Sequence, residues 1–325
     1  MNNSNNRIEP EQKDQQSQKS PSIWRWVLTI AAIGLFIYQF SRQDFRETFE
    51  IIKNLSLLKI LAALGLIFCS RLAVAARWNA LLKINDPKPK FSQILKITFA
   101  GLFSSNVLPT SVGGDFVRLV MGMQIQLDPA YITSSLIMDR IVGFTGMAFL
   151  LPFGLSMLLK SPDNPFLTGS LLGFPFAIAF SDIPKKIWGW MRKFVNKIFE
   201  SIKLWLKNPM YLLEALGFTF LHMAFYFSAI WIFLNSMQAE IPFFKMCAIY
   251  SLSYVISLMP ISIGSLGVQE LAISYFFSTL GGIPSETAYA LALLIRIAFV
   301  VCSVPGVLFL PDIGKKKKTE AKTEE

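Results

Sequence analysis

The sequence predicts an all-α, polytopic integral membrane protein, on three observations. Of its 325 residues 53% are hydrophobic and only 16% are charged, against about 25% charged in a soluble chain. The mean hydropathy is +0.48. Long apolar runs recur between clusters of Lys and Arg, and a bilayer-crossing helix needs about 20 apolar residues. Together these exclude a soluble globular enzyme and a disordered chain, and they leave little sequence for a separate soluble domain.

The net charge of +10 does not point to nucleic acid, because the Lys and Arg residues sit at the ends of apolar runs. There they set topology and meet anionic headgroups. Cys69, Cys247 and Cys302 each lie inside an apolar run without CxxC spacing. They read as buried thiols, not as a zinc site or a disulfide frame. With a single His, no metal cluster is expected, and neither is a cofactor.

In chain order, residues 1–21 are polar and read as a disordered cytoplasmic tail. A transmembrane domain is expected over 22–312, and a charged cytoplasmic tail over 313–325. The first apolar run, Ile23 to Phe40, lacks a cleavage site and reads as an uncleaved span. The second, Leu57 to Ala76, ends at Arg77 and Trp78, with Arg71 near enough to that end to snorkel. Phe91 to Pro109 is apolar and breaks over Leu108 to Asp115; Phe116 to Gln126 is partly apolar. Further runs are Ser134 to Leu159 and Phe166 to Phe180. Residues 185–207 carry apolar side chains at helical spacing against seven Lys or Arg, the pattern of a basic amphipathic helix on a membrane face. Tyr211 to Leu234 is a span containing His222. Phe243 to Met259 breaks over Met259 to Ser265 and resumes at Leu271 to Leu280; Ala288 to Leu310 is the last span. Trp78 and Trp205, with Trp24, Trp26, Trp188 and Trp190, flank these runs where aromatic belts sit.

Positive charge fixes the orientation. With the N terminus inside, Arg77, Lys83, Lys88, Lys90, the basic helix and Lys315 to Lys318 all fall in the cytoplasm. That holds only if Phe91 to Gln126 makes no net crossing, which predicts a re-entrant hairpin broken at Pro109 to Gly114. By the same count Phe243 to Leu280 makes none either, as a second re-entrant hairpin or as two short spans. About six crossings and two broken helix pairs result.

The two breaks are alike. Leu108-Pro109-Thr110-Ser111-Val112-Gly113 lies over Met259-Pro260-Ile261-Ser262-Ile263-Gly264, and Gly114 and Gly267 follow them closely. Charge follows each break, Asp115 and Arg118 in one case and Glu270 in the other. An apolar helix with an Arg-Ile pair comes next, at Arg140 and Arg296. The three crossings between the breaks would invert one half relative to the other, a recurring transporter design with its site near the midplane. The bland alternative is that Pro-x-Ser-x-Gly is helix-breaking chemistry met by chance. Backbone at such breaks must be satisfied by protein or water, and helix ends there attract anions such as phosphate. The Gly113-Gly114 pair permits close approach or positive φ.

Asp139 and Arg140 enter a long apolar span as neighbours about 100° apart on a helix, so each needs a partner on another element. Asp115 and Arg118 have the i, i+3 spacing of a pair. Buried charges at this depth cost at least about 2.5–3.5 kcal/mol each, so they are compensated. They are either structural ion pairs or the lining of a headgroup cavity. Asn106, before the first break, is a ligand donor or, more simply, a helix-end cap. His222 reads as a neutral core His bonded to a neighbouring carbonyl.

The stretches Asn106 to Arg118, Asp139-Arg140-Ile141-Val142-Gly143 and Pro260 to Glu270 resemble the lysylphosphatidylglycerol synthase transmembrane region family. This is the flippase-like membrane domain also found in multiple peptide resistance factor proteins. The likeness runs from about Ile23 to Leu310. In relatives with a fused synthase domain, the membrane part moves aminoacylated phosphatidylglycerol between leaflets. The chain ends at Glu325, so the resemblance implies lipid translocation and not tRNA-dependent lipid synthesis.

The expected function is therefore that of a non-enzymatic lipid flippase or scramblase in the plasma (inner) membrane of a prokaryote. Its partners are membrane lipids, with a soluble or membrane synthase as a further candidate, and no nucleic acid. A headgroup would enter a cavity lined by the two breaks, Arg118, Arg140 and Arg296 holding phosphate. Asp115, Asp139 and Glu270 would balance charge or carry a proton. A scaffold or accessory subunit for a lipid-modifying enzyme is the alternative; a lipid-phosphate transferase fits less well, because the chain has no Asp-rich loop.

Overall fold

The computed structural model describes residues 45–84, 88–107, 113–160, 203, 205–258 and 265–312, which are helical with no strand among them. The helices are α1 (Phe45–Lys53), α2 (Leu57–Leu82), α3 (Phe91–Val107), α4 (Gly113–Gln124), α5 (Pro129–Lys160), α6 (Pro209–Ser236), α7 (Phe243–Leu258), α8 (Val268–Thr279) and α9 (Ser285–Ser303). A 3₁₀ helix, Val304–Asp312, continues α9. The expected tails, the runs Ile23 to Phe40 and Phe166 to Phe180, Pro109, Pro260, Gly264 and nearly all of the basic helix lie outside the described residues.

Four helices are long and apolar enough to cross a bilayer: Leu57–Leu82, Pro129–Lys160, Pro209–Ser236 and Ser285–Leu310. They match four of the expected crossings. Their outer faces carry exposed Leu58, Phe149, Phe153, Phe220, Ile297 and Leu308. A water-facing surface this apolar would aggregate; here it is the surface that lipid covers. Lipid gives no hydrophobic drive between helices, so close contact depends on small residues. Glycines supply it: a Cβ on Gly146 would fall 2.4 Å from Met223 Sδ on α6, and one on Gly154 2.4 Å from the Ala248 carbonyl oxygen on α7.

The helices α3, α4, α7 and α8 have 17, 12, 16 and 12 residues. At 1.5 Å per residue none exceeds about 26 Å, short of a hydrocarbon core of about 30 Å. The start of α5 lies beside the end of α2. Tyr131 Oη donates to the Leu81 carbonyl at 3.2 Å, and Trp78 Nε1 to Ser135 Oγ at 3.1 Å. The α3–α4 pair thus begins and finishes at one end of the bundle and makes no net crossing. Lys83 pairs with Glu214 at 2.5 Å, which puts the start of α6 at that same end. The α7–α8 pair returns to its own starting point at the far end of α6: Gly281, after α8, packs against Ile241, before α7, where a Cβ on the glycine would lie 3.0 Å from Ile241 Cδ1. The two pairs enter from opposite ends, the inverted relationship expected from the sequence.

Three core clusters follow. The largest joins α2, α5, α6, α7, α8 and α9 around Phe233, Phe276 and Phe277. A second packs the α3–α4 pair against Trp78 and Ile132, and a third holds Trp205 with Leu81 and Ala215. Trp78 and Trp205 are therefore not belt residues. Both are fully buried, and Trp205 Nε1 donates to the Leu81 carbonyl at 3.2 Å. Among the cysteines, all free, Cys247 and Cys302 are buried and Cys69 is partly so.

Candidate functional site

The α3–α4 crossing is made by glycine. A Cβ on Gly114 would lie 2.4 Å from the Gly101 carbonyl oxygen and 2.0 Å from Ser105 Oγ. Gly114 thus serves close approach, as it has no positive φ. This seats α4 so that Arg118, in its second turn, reaches α5 and α2. Arg118 is buried, and its guanidinium lies 4.0 Å from the Trp78 ring centroid, in cation–π contact.

Asp139, itself 2% exposed, is the centre of the polar network. Its Oδ1 accepts from Arg77 Nε at 2.7 Å, and its Oδ2 accepts from both terminal nitrogens of Arg118 at 3.2 Å. Gly143, one turn along α5, leaves room for Arg77: a Cβ there would be 2.8 Å from an Arg77 terminal nitrogen. Arg118 also reaches Asp115 at 3.4 Å, the i, i+3 pair expected. Asp115 in turn holds Arg140, whose Nε donates at 2.8 Å and Nη2 at 2.5 Å. Asp139 and Arg140 thus point to different partners, as neighbours on a helix must.

The second half has its own pair. Glu270, in the first turn of α8, is bound by Arg296 Nε of α9, and its other oxygen accepts the Gly267 amide at 2.8 Å. Gly267 has φ 78°, a conformation open to glycine. Asn106 lies in the last turn of the helix before the first break. It donates to the Leu102 carbonyl at 3.1 Å and to Ser303 Oγ at 2.9 Å, tying α3 to α9.

A cavity of about 510 Å³ lies among α2, α5, α6, α7 and α9. It is lined by the charged Arg71, Arg77, Asp139 and Arg140, the apolar Phe144, Met147, Met223 and Phe299, and the phenols of Tyr250 and Tyr254. Of the expected site residues, Asp139 and Arg140 line it. Asp115 and Arg118 stand behind these two, and Asn106, Glu270 and Arg296 do not line it. Residues 108–112 and 259–264 of the breaks lie outside the described residues; Leu258, the last residue of α7, borders the second break and lines the cavity.

Three sequence expectations change. Arg71 does not snorkel: α2 runs on to Leu82, so Arg71 is about 17 Å from its end, and it is 6% exposed. Arg77 is not a terminal topology charge; it is buried against Asp139. His222 faces the cavity, and its Nδ1 is bonded to the Ser70 hydroxyl at 2.6 Å, not to a carbonyl. Tyr250 and Tyr254, also missed, share the four-residue spacing of one face of α7. Among the described residues no cluster of metal-ligating side chains occurs.

The family model described as lysylphosphatidylglycerol synthase TM region matches residues 23–306. Among curated proteins, a UPF0104 membrane protein of Methanothermobacter thermautotrophicus is similar at 20% identity, over 74% of this chain and 79% of that protein.

Proposed function

Because this chain belongs to the lysylphosphatidylglycerol synthase TM region family, we propose that it is a lipid flippase or scramblase. It translocates a phospholipid or a lipid-linked amphiphile, without catalysing a reaction and without a cofactor. The observation that carries this reading is the cavity. Its volume of about 510 Å³ falls within the range of small-ligand sites, about 300–1,000 Å³. Its lining combines three arginines and one carboxylate with aromatic and aliphatic side chains. Such a lining accepts a polar, anionic headgroup while the acyl tails remain in the surrounding lipid.

In this mechanism Arg140 is the movable contact. Its side chain is 59% exposed, and it can exchange Asp115 for a headgroup oxygen. Asp139 holds Arg77 and Arg118 in place behind it. Glu270 and Arg296 form the corresponding pair of the inverted half, so the two pairs would loosen in alternation as the halves rock. The protein works in a prokaryotic plasma membrane with both termini in the cytoplasm. Membrane lipids are its partners, and a synthase would supply a modified lipid.

The test is dithionite quenching of headgroup-labelled phosphatidylglycerol in proteoliposomes, for the wild type and Arg140→Gln. Faster loss of the protected inner-leaflet signal, abolished by the substitution, is expected. A panel of aminoacylated and polyprenyl-linked lipids that are all inert with folded protein would overturn the reading.

A further inference from the structure

Arg71 differs from the other arginines of the cavity. Arg77 and Arg118 are held by Asp139, and Arg140 by Asp115. No carboxylate among the described residues pairs with Arg71, and its Nη2 is buried without a hydrogen-bond partner. The residue is 6% exposed, at mid-length of α2, which packs along α6. Its guanidinium stacks over Phe299 of α9, 3.8 Å from the ring centroid. That contact fixes the plane of the group and leaves its edge to the cavity it lines.

A desolvated cation without a counter-charge is costly and survives where something else offsets it. The cation–π contact offsets part of that cost, less than a buried counter-ion would. The fold therefore keeps a donor in place, at a cost, facing an empty volume large enough for a ligand. We propose that Arg71 is the oxyanion-binding residue of the cavity, taking one oxygen of a phosphodiester at the guanidinium edge that lines it. This rests on the lipid-translocation reading for the source of the phosphodiester, but not for the existence of the subsite.

The sequence context agrees. Arg71, Val74 and Arg77 recur at three-residue spacing and all line the cavity, so α2 presents two cations along one stripe. Arg77 is neutralised within the protein; Arg71 is left for the ligand. His222, held by the neighbouring Ser70, lines the same region and adds a polar group there.

The test uses the full chain in a non-ionic detergent, with native mass spectrometry for affinity and thermal melting for stability. The probes are phosphatidylglycerol, diacylglycerol with the same acyl chains, and inorganic phosphate. Arg71→Met should weaken phosphatidylglycerol binding by about tenfold to a hundredfold, the loss of one charge-assisted hydrogen bond. It should leave diacylglycerol binding unchanged and the melting temperature of the ligand-free protein equal or higher, since an uncompensated charge is removed. Arg71→Lys should retain most of the phosphatidylglycerol affinity.

Unchanged phosphatidylglycerol binding by Arg71→Met overturns the proposal. So does a lower melting temperature or failure to fold, because Arg71 would then be a structural cation. If inorganic phosphate binds in an Arg71-dependent way and phosphatidylglycerol does not, the subsite stands and the lipid-translocation reading falls. If phosphatidylglycerol and diacylglycerol bind alike in every variant, the subsite falls and lipid binding stands.

Discussion

Asp115 and Glu270 occupy the same place in the two halves of the bundle. Each lies in the first turn of the short helix after a break, and each binds an arginine of the long helix that follows. Those arginines, Arg140 and Arg296, each stand eleven residues into their helices, counted from Pro129 and Ser285. The pairs are equivalent in position but not in burial. Glu270 is 5% exposed and also caps α8 through the Gly267 amide, whereas the Arg140 side chain is largely exposed.

The difference predicts unequal costs. Glu270→Ala leaves Arg296 and the Gly267 amide without their acceptor and should destabilise by about 3–5 kcal/mol. Asp115→Ala breaks a more exposed pair and should cost about 1 kcal/mol. Denaturation in mixed micelles reads both; equal losses would refute the distinction.

Asp139 neutralises two arginines at once. Asp139→Asn should therefore be among the most damaging single changes, by about 3–5 kcal/mol, as Arg77 and Arg118 are left facing each other. Adding Arg77→Met and Arg118→Met to Asp139→Leu should recover much of the loss. Failure of the triple variant to exceed the single one in stability would show that the network has a role beyond charge balance.

Glycine substitutions separate close approach from mere helix propensity. Gly114→Ala places a methyl group against the Gly101 carbonyl and should destabilise by about 1–3 kcal/mol. Gly65→Ala, with nothing within 4 Å of the new Cβ, should stabilise by up to about 1 kcal/mol. Melting temperatures moving in the same direction would contradict this packing.

Arg140→Gln should leave stability within about 1 kcal/mol of the wild type, as its pair with Asp115 is half in the open. Phosphatidylglycerol movement should nevertheless be lost. A variant that unfolds would be explained by structure alone, so circular dichroism melting accompanies the transport assay.

The architecture was legible because a membrane simplifies the problem: apolar length marks a span, and positive charge marks its side. Counting Lys and Arg was enough to require that Phe91 to Gln126 return to its starting side, and the Tyr131–Leu81 contact shows that it does. The acid and arginine after each break were visible as sequence, but the one pairing named from it, Asp115 with Arg118, lies within a single helix; the partners across helices were not identified. Arg71 was misplaced because the apolar run stops at Ala76 while the helix continues through Arg77 and Trp78. Tyr250 and Tyr254 were missed for a related reason. A helix apolar on every side gives no clue to which face meets a cavity and which meets lipid.

Trp78 has an optical consequence. A positive charge 4.0 Å from an indole perturbs its excited state, so the emission of this residue is set by where the Arg118 guanidinium rests. Any displacement of α4 from α2 lifts that charge from the ring. The protein therefore carries an intrinsic spectroscopic reporter, and a single-tryptophan version retaining Trp78 would register movement of the first hairpin in real time without an added label.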